Sequence, residues 1–295
     1  MHRRTYALVA ASMAVTTSAQ AVTITFDDTI SRTTGSGVVN YDLAHGDVIT
    51  SGALRSALRE TYGVRFNVDN FHQTLNANNP NAFNDPGVIF DSTLTVTRDD
   101  DLEDPWEGGN LPASTILGNM LIIQEAGVSP STPDDEGRRP AGTINIRFDD
   151  PISSFGFDII DLENGAEANG SNILTIERVE GSRNVRLDIP FTEFVDDTSP
   201  FYVPGLEFGD NYANEIPAFD ISLLNDVIDA NNLANGTSRP TFTEGIDRVR
   251  ITLGGSAAID NITFDTFIPP PPIIPTPAGF AAGLALMGLV VAKRR

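Results

Sequence analysis

The densest set of side chains able to do chemistry is Asp99-Asp100-Asp101-Leu102-Glu103-Asp104, five carboxylates in six positions. Hard oxygen donors in such numbers are the ligands that calcium takes. The run does not follow the EF-hand order, because its sixth position is Asp104 where that loop needs glycine, and no helix is expected on either side. The expectation is a loop site in which Asp101 meets Asp91, Glu125 or Asp135 after folding. Carboxylates brought that close repel and raise one another's pKa unless a cation neutralises them. The competing expectation is a solvated acidic loop that confers solubility.

Sugar binding would need an exposed aromatic ring among polar neighbours, since the C–H face of a pyranose stacks on a ring. Trp106, the single tryptophan, sits in a loop before Glu107-Gly108-Gly109-Asn110, and Tyr212 follows Asp210-Asn211. Both are candidate ligand contacts. For Trp106 the alternative is a plug over the end of the fold. Catalysis finds less material. There are no cysteines, which excludes a disulfide scaffold, a thiolate metal site and a cysteine nucleophile together. Beyond the first residues only His45 and His72 remain, and no serine elbow or phosphate-cradling glycine loop is present. A glycosidase needs only two carboxylates about 5–10 Å apart, which 40 acidic residues neither exclude nor locate. The expectation is a protein without catalytic activity.

Charge is unevenly placed. The whole chain of 295 residues carries −21, but residues 1–21 and 268–295 contain basic residues and no acid. Residues 22–267 hold 14 basic against all 40 acidic side chains, a balance of −26. Nucleic acid is therefore not an expected partner, because phosphate binding needs clustered positive charge.

Residues 1–21 run from a basic start through an apolar stretch to Ala19-Gln20-Ala21, the three-part layout of a secretory signal cut by signal peptidase before Val22. At the other end, a proline-rich spacer at 268–277 precedes residues 278–295, in which an uncharged Ala/Gly/Leu-rich stretch is closed by Lys293-Arg294-Arg295. Fifteen apolar residues rise only about 22 Å as a helix, so anchoring needs snorkelling cations or a thinned bilayer. The basic end should stay cytoplasmic and leave the acidic middle outside. Pro275-Thr276-Pro277, the short helix and the terminal basic cluster resemble the PEP-CTERM sorting signal of exopolysaccharide-making bacteria, with Thr276 standing where that motif has Glu. The resemblance implies an exosortase-type processing enzyme as a partner, transient anchoring in the inner membrane, and an address at the cell surface or in the extracellular matrix.

The elements that must position the candidate residues are mostly short strands. Residues 22–26, 94–97, 144–148, 174–177, 249–253 and 259–264 alternate with period two, and 120–123 and 155–160 are continuous apolar runs. Two helices interrupt them. Ser51 is placed to cap Ala53 to Tyr62, with Leu54, Leu58 and Tyr62 on one stripe. Asp220 or Ser222 is placed to cap a second helix with Leu223, Leu224, Val227 and Ile228 on one face, ending before Asn235-Gly236. The pattern predicts one all-β domain over 22–267, an antiparallel sandwich.

The segments 63–66, 88–92, 99–105, 117–125, 133–135, 155–158, 245–249 and 258–264 resemble, in order, a jelly-roll-like, lectin-like domain of secreted bacterial proteins. By analogy with sugar-binding sandwiches that hold a structural calcium near their termini, Asp260 with Asp27 or Asp28 is a second candidate site; the alternative is that all are solvent-facing. The function expected is structural or adhesive, at the surface or in the polysaccharide matrix, with calcium as the one expected cofactor. A carbohydrate-binding module is the alternative, and a hydrolase with paired carboxylates the less favoured one.

Overall fold

Alternating runs become strands here because every second apolar side chain can be buried while its neighbours stay in water. The structure, a computed structural model, describes residues 21–50, 52–72, 87–95, 99–163, 172–180 and 183–269. These form an almost entirely antiparallel β protein with two α-helices. β1 (Ala21–Ile24) is followed by the hairpin β2 (Thr29–Thr34) and β3 (Gly37–Asp42), helix α1 (Gly52–Tyr62), β4 (Val64–Asn70), β5 (Gly87–Asp91) and β6 (Asn119–Ile123). Then come β7 (Gly142–Ile160), β8 (Ile173–Glu180), β9 (Arg183–Pro190), β10 (Ala213–Asp220), helix α2 (Ile221–Asn235), β11 (Ile246–Leu253) and β12 (Ala258–Thr266).

β7 organises the whole. Its first half, up to Phe148, pairs with β4 on one edge and β11 on the other; its second half, from Ile152, pairs with β10 and β12. One layer is thus β4-β7-β11-β8-β9 and the other is β10-β7-β12-β6-β5, with β1 lying beside β6 along β12. The sequence reading expected two separate strands at 144–148 and 155–160. Asp149-Asp150-Pro151 between them bends the chain without ending it, while the partners β11 and β12 shift register there.

Between the layers lies the main core. Val64, Phe66 and Val68 of β4, Ile144 and Ile146 of β7 and Val249 and Ile251 of β11 face it, and Phe155, Phe157 and Ile159 meet them from the other layer. Neighbouring aromatic rings run from Phe155 through Phe157 and Phe191 to Phe194 at centroid distances of 5.6, 6.4 and 5.3 Å, inside the range where edge-to-face pairs add to burial.

Both helices fall where the sequence places them. α1 buries Leu58, with Leu54 and Tyr62 packed partly beneath it. It covers β2, whose N–H groups at Ser31 and Thr33 donate to Thr61 Oγ1 (2.9 Å) and Glu60 Oε2 (2.6 Å), so this edge offers fewer free donors to another chain. Its expected cap, Ser51, lies outside the described residues. α2 starts at Asp220, whose Oδ1 accepts from Leu223 N (2.9 Å), and stops at Gly236 in the left-handed region. Of the strand expected at 94–97, Leu94 and Thr95 form no ladder, and Leu94 lies 39% exposed in a turn closed by its N–H to Asp91 O. Val96 and Thr97 lie outside the described residues.

Ala21, expected as the last residue of a removed signal, is the first residue of β1. A cut after it leaves the pairs Val22↔Phe264, Thr23↔Thr263 and Ile24↔Ile262 intact. Ala19 and the sorting residues Pro275, Thr276, Pro277, Lys293, Arg294 and Arg295 lie outside the described residues.

Candidate functional site

The second layer is apolar on its outer face too. Val88, Ile122, Ala258, Ile160 and Ala213 stand in one row across β5, β6, β12, β7 and β10. Over that row fold Leu102, Trp106 and Leu117 from the connection between β5 and β6, making a second, smaller core. Trp106 is its plug. The indole is 3% exposed and its Nε1–H donates to Thr115 O (2.8 Å), so Trp106 presents no ring face to a sugar. Tyr212 is half-buried, its ring lying against Gly108 and Gly209, where any Cβ would crowd it. For Trp106 the alternative of a plug over the end of the fold therefore holds, and the half-buried Tyr212 is not an exposed platform either.

At one end of this layer three chain segments bring carboxylates together. Asp99 and Asp101 come from the 3-10 turn at Asp100–Leu102, Asp135 from the connection after β6, and Asp161 from the residue following β7. Asn211 is the tie between them. Its N–H donates to Asp161 Oδ1 (3.2 Å), its Nδ2 to Glu103 O (2.8 Å), and its Oδ1 accepts from Glu107 N (2.9 Å). Ser256, between β11 and β12, donates to the other Asp161 oxygen (2.7 Å). Asp161 and Asn211 both adopt φ of 56°, a left-handed backbone that such short polar side chains tolerate.

Burial dominates the electrostatics. It pushes Asp161 up to about 8, with Asp99 and Asp101 adding repulsion against the hydrogen bonds from Ser256 and Asn211. Asp99 is pushed up to about 6, chiefly by burial. Asp135, buried and facing the Asp99 carboxyl, is raised well above the ordinary carboxylate range by desolvation first and by Asp99 and Asp161 next. Its Oδ2 meets no hydrogen-bond donor among the described residues, and its side-chain hydrogen bond with Asp99 also favours the protonated form. Asp101 is raised more modestly by burial and then by Asp210, Asp100 and Glu107. A buried carboxylate oxygen with no donor is costly unless a proton or a cation meets it.

Of the four residues expected to converge, Asp101 and Asp135 share this cluster. Asp91 closes its own turn instead, its Oδ1 accepting from Thr93 N (2.9 Å) and Oγ1 (2.6 Å). Glu125 is half-buried and contributes its backbone N–H, which donates to Asp134 O (2.7 Å). Asp161, Asn211 and Ser256 carry no local sequence mark, although a carboxylate directly after the apolar run 155–160 is a signal of a strand end in a loop cluster.

The second expected pair is also brought together. β1 lies on β12, and Asp260 is 1% exposed, pushed up to about 8 by burial with Asp158 and Asp27 adding repulsion. Its Oδ1 likewise meets no donor among the described residues. Asp27 accepts from Asn119 N (3.0 Å) and lies against Gly118, where a side chain would displace it. Asp28 is drawn away, accepting from the Tyr62 hydroxyl (2.9 Å). Among the described residues no three His, Cys, Asp or Glu side chains are spaced as a formed metal-ligand set.

Asp158 stands opposite Asp260 on one side and Glu215 on the other, all on the outer face. Asp158 and Glu215 line a cleft of about 270 Å³ with Leu111, Pro217, Asn261 and Thr263. Burial pushes Asp158 up to about 6, against a hydrogen bond from Asn261 Nδ2 (2.7 Å) and with Glu215 adding repulsion.

No protein-family model matches the chain, and none of the curated proteins is recognisably similar to it.

Proposed function

We propose that the chain is an exported structural or adhesive protein of the cell surface or exopolysaccharide matrix, without catalytic activity, whose loops are tied by calcium. The sandwich is read as the jelly-roll, lectin-like type, on the support of β1 and β12 lying side by side. Signal peptidase and an exosortase-type enzyme are the proposed processing partners, the inner membrane a transient one, and surface polysaccharide the lasting one; nucleic acid is not among them.

The observation that carries the reading is the buried Asp135 oxygen without a donor, set among Asp99, Asp101 and Asp161. These residues suit a hard cation, and calcium would supply there the positive charge that the cluster lacks. Because no complete ligand set stands ready, the affinity proposed is the weak one of extracellular calcium modules, about 10⁻⁴–10⁻³ M, which is filled only outside the cell. The same argument fits Asp260 with Asp27.

Thermal unfolding of the full-length chain at pH 7.5 tests it. Calcium at ten times its dissociation constant adds about 1.4 kcal/mol and raises the midpoint by roughly 3–6 °C over the chelated protein. Asp135→Asn should abolish most of that rise. An unchanged midpoint at millimolar calcium overturns the cation. The location is tested by fractionating a tagged chain in a host with an exosortase-type enzyme: envelope and matrix fractions support it, and cytoplasmic recovery overturns it.

The cleft at Asp158 and Glu215 favours a second reading, a glycoside hydrolase. Side chains opposite one another on paired strands have Cβ atoms about 5 Å apart, near the carboxyl separation of retaining enzymes, and Asp158 with a pKa of about 6 suits an acid. Hydrolysis of a polysaccharide lost in Glu215→Gln would establish it.

A further inference from the structure

The outer face of the other layer carries the opposite charge. Strand register places Arg65 of β4, Arg147 of β7 and Arg248 of β11 directly beside one another, with Glu177 of β8 and Arg186 of β9 continuing the row. The next row holds Asn67, Asn145 and Arg250. Like charges opposite one another in a sheet are destabilising, so such a row needs neutralising. Three of its arginines are neutralised within the fold, Arg186 by the Asp188 carboxylate (2.9 Å). Arg65, with Arg59 of α1, grips Asp149, and although burial would raise that carboxyl, the arginine hydrogen bonds hold it below the ordinary range. Arg248 and Arg250 both reach Glu177.

Arg147 is left over. It is exposed, flanked by arginine on either side, and has no carboxylate within ion-pair distance among the described residues. Arg55 of α1 is in the same condition, and the two line one groove of about 330 Å³ with Arg65, Asn67, Asp69 and Asn145. That volume is enough for a single sugar ring or a similar small group. Asp69 accepts from Asn145 Nδ2 (3.1 Å) and, at 3.4 Å, from Asn67 Nδ2.

We propose that this groove binds a carboxylated sugar, a uronic-acid unit of an acidic polysaccharide. The proposal deepens the surface reading above and rests on it for the source of the polymer. Charge complementarity selects the ligand. In a domain whose balance is −26, two unpaired guanidinium groups in one groove fit an anion, and the planar fork of arginine matches a carboxylate. Asp69 then decides between anions. A bare phosphate is repelled by it, whereas sugar hydroxyls donate to it and accept from the neighbouring amides.

Titration calorimetry of the full-length chain in non-ionic detergent tests this, with chelator present so that calcium cannot bridge two acidic partners. The probes are alginate oligomers, neutral dextran and inorganic phosphate. Alginate should bind in low salt and weaken as salt rises, with no heat from dextran or phosphate. Arg147→Gln and Arg55→Gln should each weaken alginate about tenfold or more while the melting midpoint holds, and Arg138→Gln, outside the groove, should leave binding unchanged. Absent alginate binding, equal binding by the groove variants, or phosphate binding as tight as alginate overturns the proposal. The two readings separate: matrix location without alginate binding removes the groove alone, and alginate binding by a cytoplasmic protein removes the location alone.

Discussion

Lowering the pH from 8 to 6 in chelator should stabilise this fold, the reverse of what paired surface carboxylates give. Asp161 and Asp260 have folded pKa values near 8, against about 3.9 for an unfolded aspartate. Between those values the folded state holds more protons than the unfolded one. Stability from these groups is therefore complete below about pH 4 and lost as pH rises through 8. From pH 8 to 6 each contributes roughly 2 kcal/mol, about 4 kcal/mol together if they act independently. For a domain of this size that is a midpoint rise of roughly 10 °C. Asp99 and Asp158, near 6, add at the acid end of the range. Asp149, held low by Arg59 and Arg65, acts in the opposite sense but only near pH 4 and below. Thermal unfolding followed by circular dichroism reads the effect, and Asp161→Asn or Asp260→Asn should each remove about half of the slope. A midpoint that stays flat or falls between pH 8 and 6 refutes the claim that these carboxyls are buried with their protons.

Trp106→Ala should cost about 3–5 kcal/mol in urea unfolding, because the indole fills the outer core between Leu102 and Leu117. Asp220→Ala should cost about 1 kcal/mol by the same assay, through loss of the cap on Leu223 N. Gly109→Ala should destabilise by more than about 1 kcal/mol: φ is +98° there, and a Cβ would overlap the Ala213 carbonyl.

Local physics made much of this legible. Apolar stripes marked both helices and a cap marked the start of α2, and period-two alternation marked the β4-facing segment of β7 as well as β8, β11 and β12. The proximity of Asp27 and Asp260 was expected only by analogy with sugar-binding sandwiches, and β1 lying on β12 brings the two together. What stayed hidden depends on contacts between distant residues. Asp149-Asp150-Pro151 reads as a turn, yet partners on both sides carry the ladder past it. Trp106 reads as a loop aromatic because the apolar row beneath it is assembled from five strands. Arg65, Arg147 and Arg248 lie far apart in sequence, and only register makes them neighbours.

The placement of β12 has a mechanical consequence. Tension applied to the chain beyond Phe267 enters along the axis of β12, which is laddered to β7 on one edge and to β1 and β6 on the other. The Phe267 N–H to Pro151 O bond (2.8 Å) is the first to bear it. Behind it, the rungs to β1 and β7 are loaded together in shear, where they resist collectively, instead of opening one by one as in a peeled hairpin. A domain held by that end would thus meet the load with a strand laddered along both edges.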